Sequence, residues 1–341
     1  MSTSIPNFGL YYDFRNPVQW EQPIGPLYRD TLDQIVWAES LGFGSAWISE
    51  HHFAQDSYAS SPLVIAATVA ARTTTMRVGT NIVVAGLHNP VRLAEDAAAL
   101  SLLSGNRFEL GVGLGYNVSE FEAMGRTVKQ RTSLLEESVA VLRRAWSGST
   151  EPFDGKRFTV PDLAVTPVPE TPPRLLIGAQ SPAGIDRAAR LADGLIALKD
   201  DDFQVYLDAL ERHGKSTVDA RLYTCQWAII SDDPEKTWSE VGERARYQLN
   251  RYISHGAFGP PETTPLFPDT DSILASGVYR IRDASSAVDE FVAMIKKYPQ
   301  VRDIHFWAQL PGESVESGSE RVDYIASKVI PQVTERLLAA E

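Results

Sequence analysis

Short runs of apolar residues alternate along the chain with longer segments in which apolar positions recur at helical spacing. The apolar runs predict strands at residues 8–12, 45–49, 77–84, 108–112, 175–179, 194–198, 223–230 and 304–308. This alternation is typical of folds built from βα repeats, because a strand that is covered on both faces has few polar positions. Eight units without a flexible interior linker favour a closed (β/α)8 TIM barrel, an α/β fold, over an open, doubly wound sheet.

The segments with helical spacing predict helices at residues 27–41, 62–72, 91–103, 128–146, 182–191, 203–213, 234–249, 287–297 and 321–340. Two segments break the alternation. Residues 151–173 contain the turn signal Asp154-Gly155 and predict a hairpin inserted before the fifth strand. Residues 252–282 are rich in proline and glycine and predict a long loop after the seventh strand, which would act as a lid. We therefore predict one domain over residues 1–341.

Composition and charge limit which partners the protein is expected to bind and in which cell compartment it is expected to occur. The formal net charge is −12, from 32 Lys and Arg against 44 Asp and Glu, which disfavours binding to a nucleic acid. No apolar run reaches the length of a membrane span, and residues 1–10 lack the basic head and apolar core of a secretory signal. Cys225 is the single cysteine, so an internal disulfide is excluded. We expect a soluble, cytoplasmic protein.

An acidic residue and two histidines follow directly after the second predicted strand. In a TIM barrel the active site lies at the carboxyl ends of the strands, so Glu50, His51 and His52 stand where chemistry is expected. Adjacent residues of a strand point to opposite sides, so one imidazole can face the site while the other packs outward. A site-facing imidazole suits proton transfer near neutral pH, although both histidines could simply brace the barrel rim. The spacing of a metal site is missing, and no metal is expected.

Two later strand ends are also informative. After the fourth strand, Gly111, Gly113 and Gly115 either let main-chain amides approach a bound group or allow tight packing inside the barrel. The residues that follow, 117–126, predict a loop, so this is not the strand-turn-helix fingerprint of a dinucleotide site. After the fifth strand, Ser181 precedes Pro182 and predicts a helix N-cap. That helix start is either an anion site or an ordinary cap.

Several segments together resemble one known family. They are, in order, Glu50-His51-His52-Phe53, Val78-Gly79-Thr80-Asn81, Asn89-Pro90-Val91-Arg92-Leu93-Ala94-Glu95-Asp96, Gly105-Asn106-Arg107-Phe108 and Ala192-Asp193-Gly194. In this order and spacing the chain resembles the bacterial luciferase-like, flavin-dependent monooxygenases. The resemblance covers nearly the whole chain. It is strongest over residues 27–146 and fades in the lid and in the last helix.

The resemblance implies a barrel that holds reduced FMN with its ring at the strand ends. His51 matches the catalytic histidine of the family. The residues expected to bind the cofactor are Thr80, Asn81, Gly113, Gly115, Tyr116, Gly178, Ala179, Gln180 and Ser181. Of these, residues 178–181 would hold the phosphate. The resemblance also implies a non-prolyl cis peptide against which the ring packs, and the matching bond joins Asn81 to Ile82.

Two departures from luciferase fall at the end of the fourth strand. Leu114 stands where luciferase has an arginine on the flavin phosphate, and Gly113 stands where it has a cysteine beside the reactive flavin carbon. Light emission is therefore not expected. A lost charge-assisted contact, worth about 1.5–3 kcal/mol, predicts a weakly held and exchangeable flavin. A separate flavin reductase could supply such a flavin.

The resulting hypothesis is a monooxygenase that uses reduced FMN and O2 to oxygenate a small organic substrate. An alternative of the same fold is hydride transfer with a deazaflavin coenzyme, and another is a flavin-binding subunit without catalysis. A glycoside hydrolase built on Glu50 is a further alternative from a different class, although a second acid is missing at the other strand ends. Pairing through helices of the first half of the barrel would make the protein a homodimer, with Trp20, Tyr28 and Trp37 as candidate contacts.

Overall fold

The computed structural model describes residues 5–339 and has eight parallel strands that close into a barrel. The barrel strands, in chain order, are β1 Asn7–Tyr12, β2 Ser45–Ile48, β3 Arg77–Thr80, β4 Phe108–Gly113, β5 Arg174–Gly178, β6 Gly194–Ala197, β7 Leu222–Gln226 and β8 Val301–Trp307. Closure comes from two pairings, β1 with β8 and β3 with β4. The predicted (β/α)8 TIM barrel is confirmed.

Helices surround the barrel on its outer face. They are α1 Ile24–Ser40, α2 Pro62–Arg72, α3 Pro90–Leu103, α4 Val118–Ala123, α5 Arg131–Trp146, α6 Pro182–Leu191, α7 Asp201–Arg212, α8 Pro234–His255, α9 Thr270–Ser276, α10 Ala284–Lys297, α11 Val315–Tyr324 and α12 Ile330–Leu338. A π-helical turn, Ile325–Val329, joins α11 to α12, so the single helix predicted over 321–340 has two parts. Ala340 lies outside the described residues. No helix in residues 5–339 is both long enough and apolar enough to cross a membrane.

The barrel interior is closed at its amino-terminal end by ion pairs between one buried carboxylate and two partly exposed arginines. Glu109 of β4 accepts hydrogen bonds from Arg77 of β3 at 3.0 Å and from Arg174 of β5 at 2.8 Å. Trp47 of β2 is fully buried further along the interior. These side chains fill the lower part of the barrel, so the free space lies at the opposite end, where the strands finish.

The two predicted interruptions have different outcomes. The hairpin forms as predicted, with Phe153–Asp154 paired antiparallel to Thr159–Val160. Residues 252–282 are not one long loop, because α8 continues to His255, where Gly256 ends it with a φ of 91°. Helix α9 and a short strand, Arg280–Arg282, follow, and that strand pairs with Ala228–Ile230. Residues 256–269 and 277–279 of the segment lack a helix or strand.

Candidate active site

A cavity of about 310 Å³ lies at the carboxyl ends of the barrel strands, a volume at the lower end of the roughly 300–1,000 Å³ of small-molecule sites. It collects these residues named from the sequence: His51, Asn81, Gly113, Gly115, Tyr116, Gly178, Ala179, Gln180 and Ser181. Thr80 lies behind the wall instead. Its buried hydroxyl donates to the Gly111 carbonyl at 2.8 Å and accepts from the Gly111 N–H at 2.9 Å, so Thr80 joins β3 to β4.

His51 is held between a carboxylate and a phenol. Its Nδ1 lies 2.8 Å from Oε1 of Glu120, and its Nε2 lies 2.8 Å from the hydroxyl of Tyr116. A carboxylate only accepts, so Nδ1 carries the proton and the lone pair of Nε2 accepts from Tyr116. Burial raises the pKa of Tyr116, which keeps the phenol protonated and able to donate. We call His51 and Tyr116, which line the cavity, together with Glu120, which lies behind His51, the polar wall.

Helix α4 delivers Glu120 to this position. Asn117 caps the helix by accepting from the Ser119 N–H at 3.2 Å, and the first turn then turns Glu120 inward, where it is 1% exposed. Glu120 also accepts from the main-chain N–H of His52 at 3.1 Å. The sequence predicted a loop over residues 117–126, so Glu120 was missed. Asn117 as an N-cap was the available signal.

Glu50, the residue before His51, accepts hydrogen bonds from neighbouring groups of the barrel rim. Its Oε1 accepts from Nε2 of His52 at 3.0 Å and from Nε2 of His88 at 2.6 Å, and its Oε2 accepts from the Val84 N–H at 2.5 Å. Burial opposes ionisation of Glu50, but the hydrogen bonds from His52 and His88 outweigh it and lower its pKa to about 2. The alternation predicted for the two histidines is therefore observed, since His51 faces the cavity and His52 braces the rim.

Glu50 and the two histidines that donate to it are close enough together to hold a metal ion. Ligand atoms of Glu50, His52 and His88 lie within 4.8 Å of one another. Their mutual hydrogen bonds already satisfy the carboxylate without an ion. These three hydrogen bonds fix the Glu50 carboxylate in the rim of the barrel. Among the described residues that line the cavity it is the single carboxylic acid, so the geometry does not support a glycoside hydrolase.

A cis peptide joins Asn81 to Ile82, as the resemblance implies. The hydroxyl of Tyr11 donates to the Asn81 carbonyl at 2.7 Å, and the Asn81 side-chain amide lies 3.0 Å from Nε2 of His305. Nδ1 of His305 lies 2.9 Å from Oδ1 of Asp303, both residues being buried in the barrel interior. Asp303 and His305, which sequence reasoning missed, therefore hold Asn81 from below.

The glycines at the strand ends make room for protein atoms. A Cβ added at Gly113 or at Gly178 would lie 2.7 Å from a side-chain carbon of Ile82. A Cβ at Gly111 would lie 2.0 Å from the Thr80 carbonyl oxygen. Tight packing, one of the two interpretations left open by the sequence, is thus what these glycines provide. Ile82 consequently lines the cavity between Gly113 and Gly178.

One end of the cavity suits a negatively charged group. Ser181 caps α6 by accepting from the Gly184 N–H at 3.2 Å, and residues 178–181 line the cavity beside Gly184 and Arg187. Nε of Arg187 lies 3.0 Å from Glu136. Arg187, three residues after Gly184 on the same helix, was missed in the sequence. We call residues 178–181, Gly184 and Arg187 the anion end.

Aromatic side chains form another part of the cavity lining, which we call the aromatic wall. It consists of Tyr58, Trp227, Tyr252, Phe258 and Trp307. Trp227 is its centre, with ring centroids 5.7 Å from Tyr252 and 5.5 Å from Trp307. The segment predicted as a lid contributes Tyr252, Ala257 and Phe258 to the lining.

The family model that matches the chain is described as luciferase-like monooxygenase and covers residues 7–317. Two curated relatives are F420-dependent glucose-6-phosphate dehydrogenases. The one from Amycolatopsis mediterranei is 28% identical over 310 residues, 86% of this chain and 92% of its own length. The one from Kineococcus radiotolerans is 32% identical over 304 residues, 82% of this chain and 87% of its own length.

Solved structures agree on the fold. Monooxygenase RslO1 from Streptomyces bottropensis superposes with a TM-score of 0.80 at 20% identity, covering 95% of this chain and 99% of that one. An F420-dependent secondary alcohol dehydrogenase, in complex with an F420–acetone adduct, gives a TM-score of 0.74 at 19% identity, with 96% and 99% covered. The family match and the barrel lead to one conclusion: this chain belongs to the luciferase-like monooxygenase family.

Proposed function

We propose that the protein is a deazaflavin-dependent oxidoreductase that interconverts an alcohol and a carbonyl compound. The observation that carries the proposal is the orientation of His51, whose Nε2 lone pair faces the cavity while Glu120 holds Nδ1. A fixed proton acceptor of this kind is what oxidation of a hydroxyl group requires. The names of the curated relatives, which include F420-dependent enzymes at 28% and 32% identity, favour a deazaflavin over FMN.

The residues of the cavity fit a flavin-type cofactor. A planar ring needs a support on which to pack, and Ile82 offers one in the cavity lining, where it packs closely between Gly113 and Gly178. Its phosphate needs main-chain amides at a helix start and a cation, and at the anion end Gln180, Ser181 and Arg187 line the cavity. Arg187 would thereby replace the charge that is missing at Leu114.

In the proposed reaction the bound coenzyme supplies the hydride acceptor. His51 takes the hydroxyl proton of the substrate on Nε2. The carbon that bears the hydroxyl gives up its hydrogen together with the bonding electron pair, and the alcohol thereby becomes a carbonyl compound. The imidazolium that forms lies 2.8 Å from the Glu120 carboxylate, which stabilises its charge. Tyr116 must release Nε2 for this step, and its hydroxyl is then free to donate to the substrate oxygen.

A monooxygenase using reduced FMN and O2 is the second candidate. The description of the family favours it, and so does the aromatic wall, because oxygenation chemistry needs water to be excluded from the site. O2, a separate flavin reductase and a homodimer remain predictions that belong to this candidate. The retained contact between His51 and Glu120 argues against a subunit without catalysis.

The experiment is an anaerobic titration of the purified protein with F420 and with FMN, followed by absorbance and by protein fluorescence. We expect F420 to bind saturably and to be reduced when a suitable alcohol is added. Preferential binding of FMN, together with oxygenated product from reduced FMN in air, would instead establish the second candidate. If neither cofactor binds, the proposal is wrong.

A matched pair of variants tests the anion end in the same titration. Arg187 and Arg190 both pair with Glu136, but only Arg187 lines the cavity. Losing a charge-assisted contact of about 1.5–3 kcal/mol raises a dissociation constant about tenfold or more, so we expect this weakening for Arg187→Ala. Arg190→Ala is the control and should bind the cofactor as the wild type does. Equal behaviour of both variants would remove Arg187 from the site.

A further inference from the structure

Among the described residues that line the cavity there is one arginine and no lysine, and that arginine stands at the anion end. Among the described residues that line it, the ionic side chains are Arg187 and Glu50. Arg187 belongs to the anion end, and Glu50 is occupied by hydrogen bonds from His52, His88 and the Val84 N–H. The aromatic wall therefore contributes no formal charge to the part of the cavity that a substrate would occupy beside His51.

The nearest cation behind the aromatic wall is already neutralised. The guanidinium of Arg15 lies 4.5 Å from the ring centre of Tyr58 and 4.7 Å from that of Tyr252. Its Nε is 3.6 Å from Asp13 and 3.5 Å from Asp56. Arg15 is 4% exposed and does not line the cavity. Two carboxylates thus balance its charge, and the aromatic rings separate it from any substrate.

The two tyrosines Tyr58 and Tyr252 and the nearby His255 are neutral at neutral pH. Burial raises the pKa values of Tyr58 and Tyr252 well above the usual range, and their hydroxyls lie 2.9 Å apart. Tyr58 also donates to Ser49 at 2.6 Å. Burial, and then the charge of Arg251, lower the pKa of His255 to about 4. At neutral pH none of these groups offers a charge to a phosphate or a carboxylate.

We infer that the substrate is an uncharged organic molecule with an apolar body and one hydroxyl or carbonyl group. This inference rests on the proposed function and specifies its substrate class. The apolar body would pack on Trp227 and Phe258, because burying apolar surface is favourable there, and the hydroxyl would meet Nε2 of His51. A phosphorylated sugar would leave a buried anion without a partner, which is strongly unfavourable. The chain thus differs in substrate class from relatives named for glucose 6-phosphate.

The test compares substrates that differ in charge on the same carbon skeleton. With the coenzyme-loaded protein, cyclohexanol is compared with 4-hydroxycyclohexanecarboxylate, and glucose 6-phosphate is the third substrate. We expect kcat/KM to favour cyclohexanol over the carboxylate by at least about tenfold, the equivalent of about 1.4 kcal/mol. Glucose 6-phosphate should give no turnover above background.

A variant at the cavity mouth adds a second readout. Phe258 lies in the segment between α8 and α9 and is 38% exposed, so replacing it should not affect folding. Phe258→Lys places a cation on the aromatic wall. The ratio of kcat/KM for cyclohexanol to that for the carboxylate should fall, because the two KM values move closer together while kcat changes little. Phe258→Leu is the control and should retain the preference of the wild type.

Two failures can be told apart. Efficient turnover of glucose 6-phosphate, or equal use of the neutral and charged ring alcohols, overturns the substrate class but leaves the proposed function standing. If no coenzyme binds, tryptophan fluorescence of the coenzyme-free protein still reports ligand binding beside Trp227. Quenching by cyclohexanol and not by the carboxylate would support the inference. Absence of any response to the neutral alcohol, in either form of the protein, would overturn it.

Discussion

The polar wall and the aromatic wall face the same cavity but are held in place by different forces. In the polar wall each functional atom of His51 has a hydrogen-bond partner, Glu120 at Nδ1 and Tyr116 at Nε2. In the aromatic wall, Trp227 is fixed by edge-to-face packing against its neighbours. Under the proposed function, proton transfer would depend on the polar wall and substrate affinity on the aromatic wall.

This division has a kinetic consequence. Hydrogen bonds that strengthen as charge develops act on the transition state and therefore on kcat. Apolar contacts hold substrate and transition state equally, so their loss raises KM and leaves kcat nearly unchanged. Substitutions on the two walls should therefore separate into two kinetic classes. The variants below test that separation, beginning with the largest effect.

His51→Ala should have the largest effect. Removing a general acid or base reduces turnover by about 10²–10⁴-fold, and we expect a fall in kcat of that size with the coenzyme dissociation constant unchanged. The measurement is steady-state turnover together with the anaerobic titration. His52→Gln is the matched control, because His52 is adjacent to His51 in the chain but hydrogen-bonds Glu50 and does not line the cavity. Unchanged kcat in His51→Ala would remove the polar wall from the chemistry.

Glu120→Gln should have an intermediate effect. The amide oxygen can still accept from Nδ1 of His51, so the ring orientation is kept while the negative charge is lost. A charge-assisted hydrogen bond contributes about 1.5–3 kcal/mol, so kcat should fall by about 10–150-fold with KM little changed. Glu122 is exposed on the same helix, and Glu122→Gln should behave as the wild type. A rise in KM alone would mean that Glu120 only shapes the cavity.

The fold could be predicted because barrel strands leave a local signal. β6 is a continuous apolar run whose four residues are all buried, since sheet and helices cover both faces. The hairpin was visible in Asp154-Gly155. Helix α9 was not visible, because its seven residues are too few for a period to appear. Its boundaries, Asp269 as N-cap and Gly277 with a φ of 72°, can be recognised only afterwards.

The site was predicted in part for the same reason. His51 follows a strand directly, so the rule that barrel sites lie at strand ends was enough to find it. Its partner Glu120 lies 69 residues later in the sequence, and no local pattern records a pairing over that distance. The glycines were detected, but whether Gly113 faces a ligand or Ile82 depends on packing that only coordinates reveal. Residues that act through tertiary contacts therefore remained hidden.

Tyr252→Phe should have the smallest effect and sharpens the comparison from the aromatic side. The change deletes a hydroxyl that lies 2.9 Å from that of Tyr58 but keeps the ring that packs on Trp227. Tyr58 retains its hydrogen bond to Ser49, so no buried donor is left without a partner. We expect a loss of about 1 kcal/mol in the free energy of unfolding, the usual net contribution of a hydrogen bond, measured by urea denaturation.

Both kcat and KM of Tyr252→Phe should stay within about threefold of the wild-type values, a difference of less than ~0.7 kcal/mol. A fall in kcat as large as that of Glu120→Gln would show that the aromatic wall takes part in proton transfer, and the distinction between the two walls would then fail.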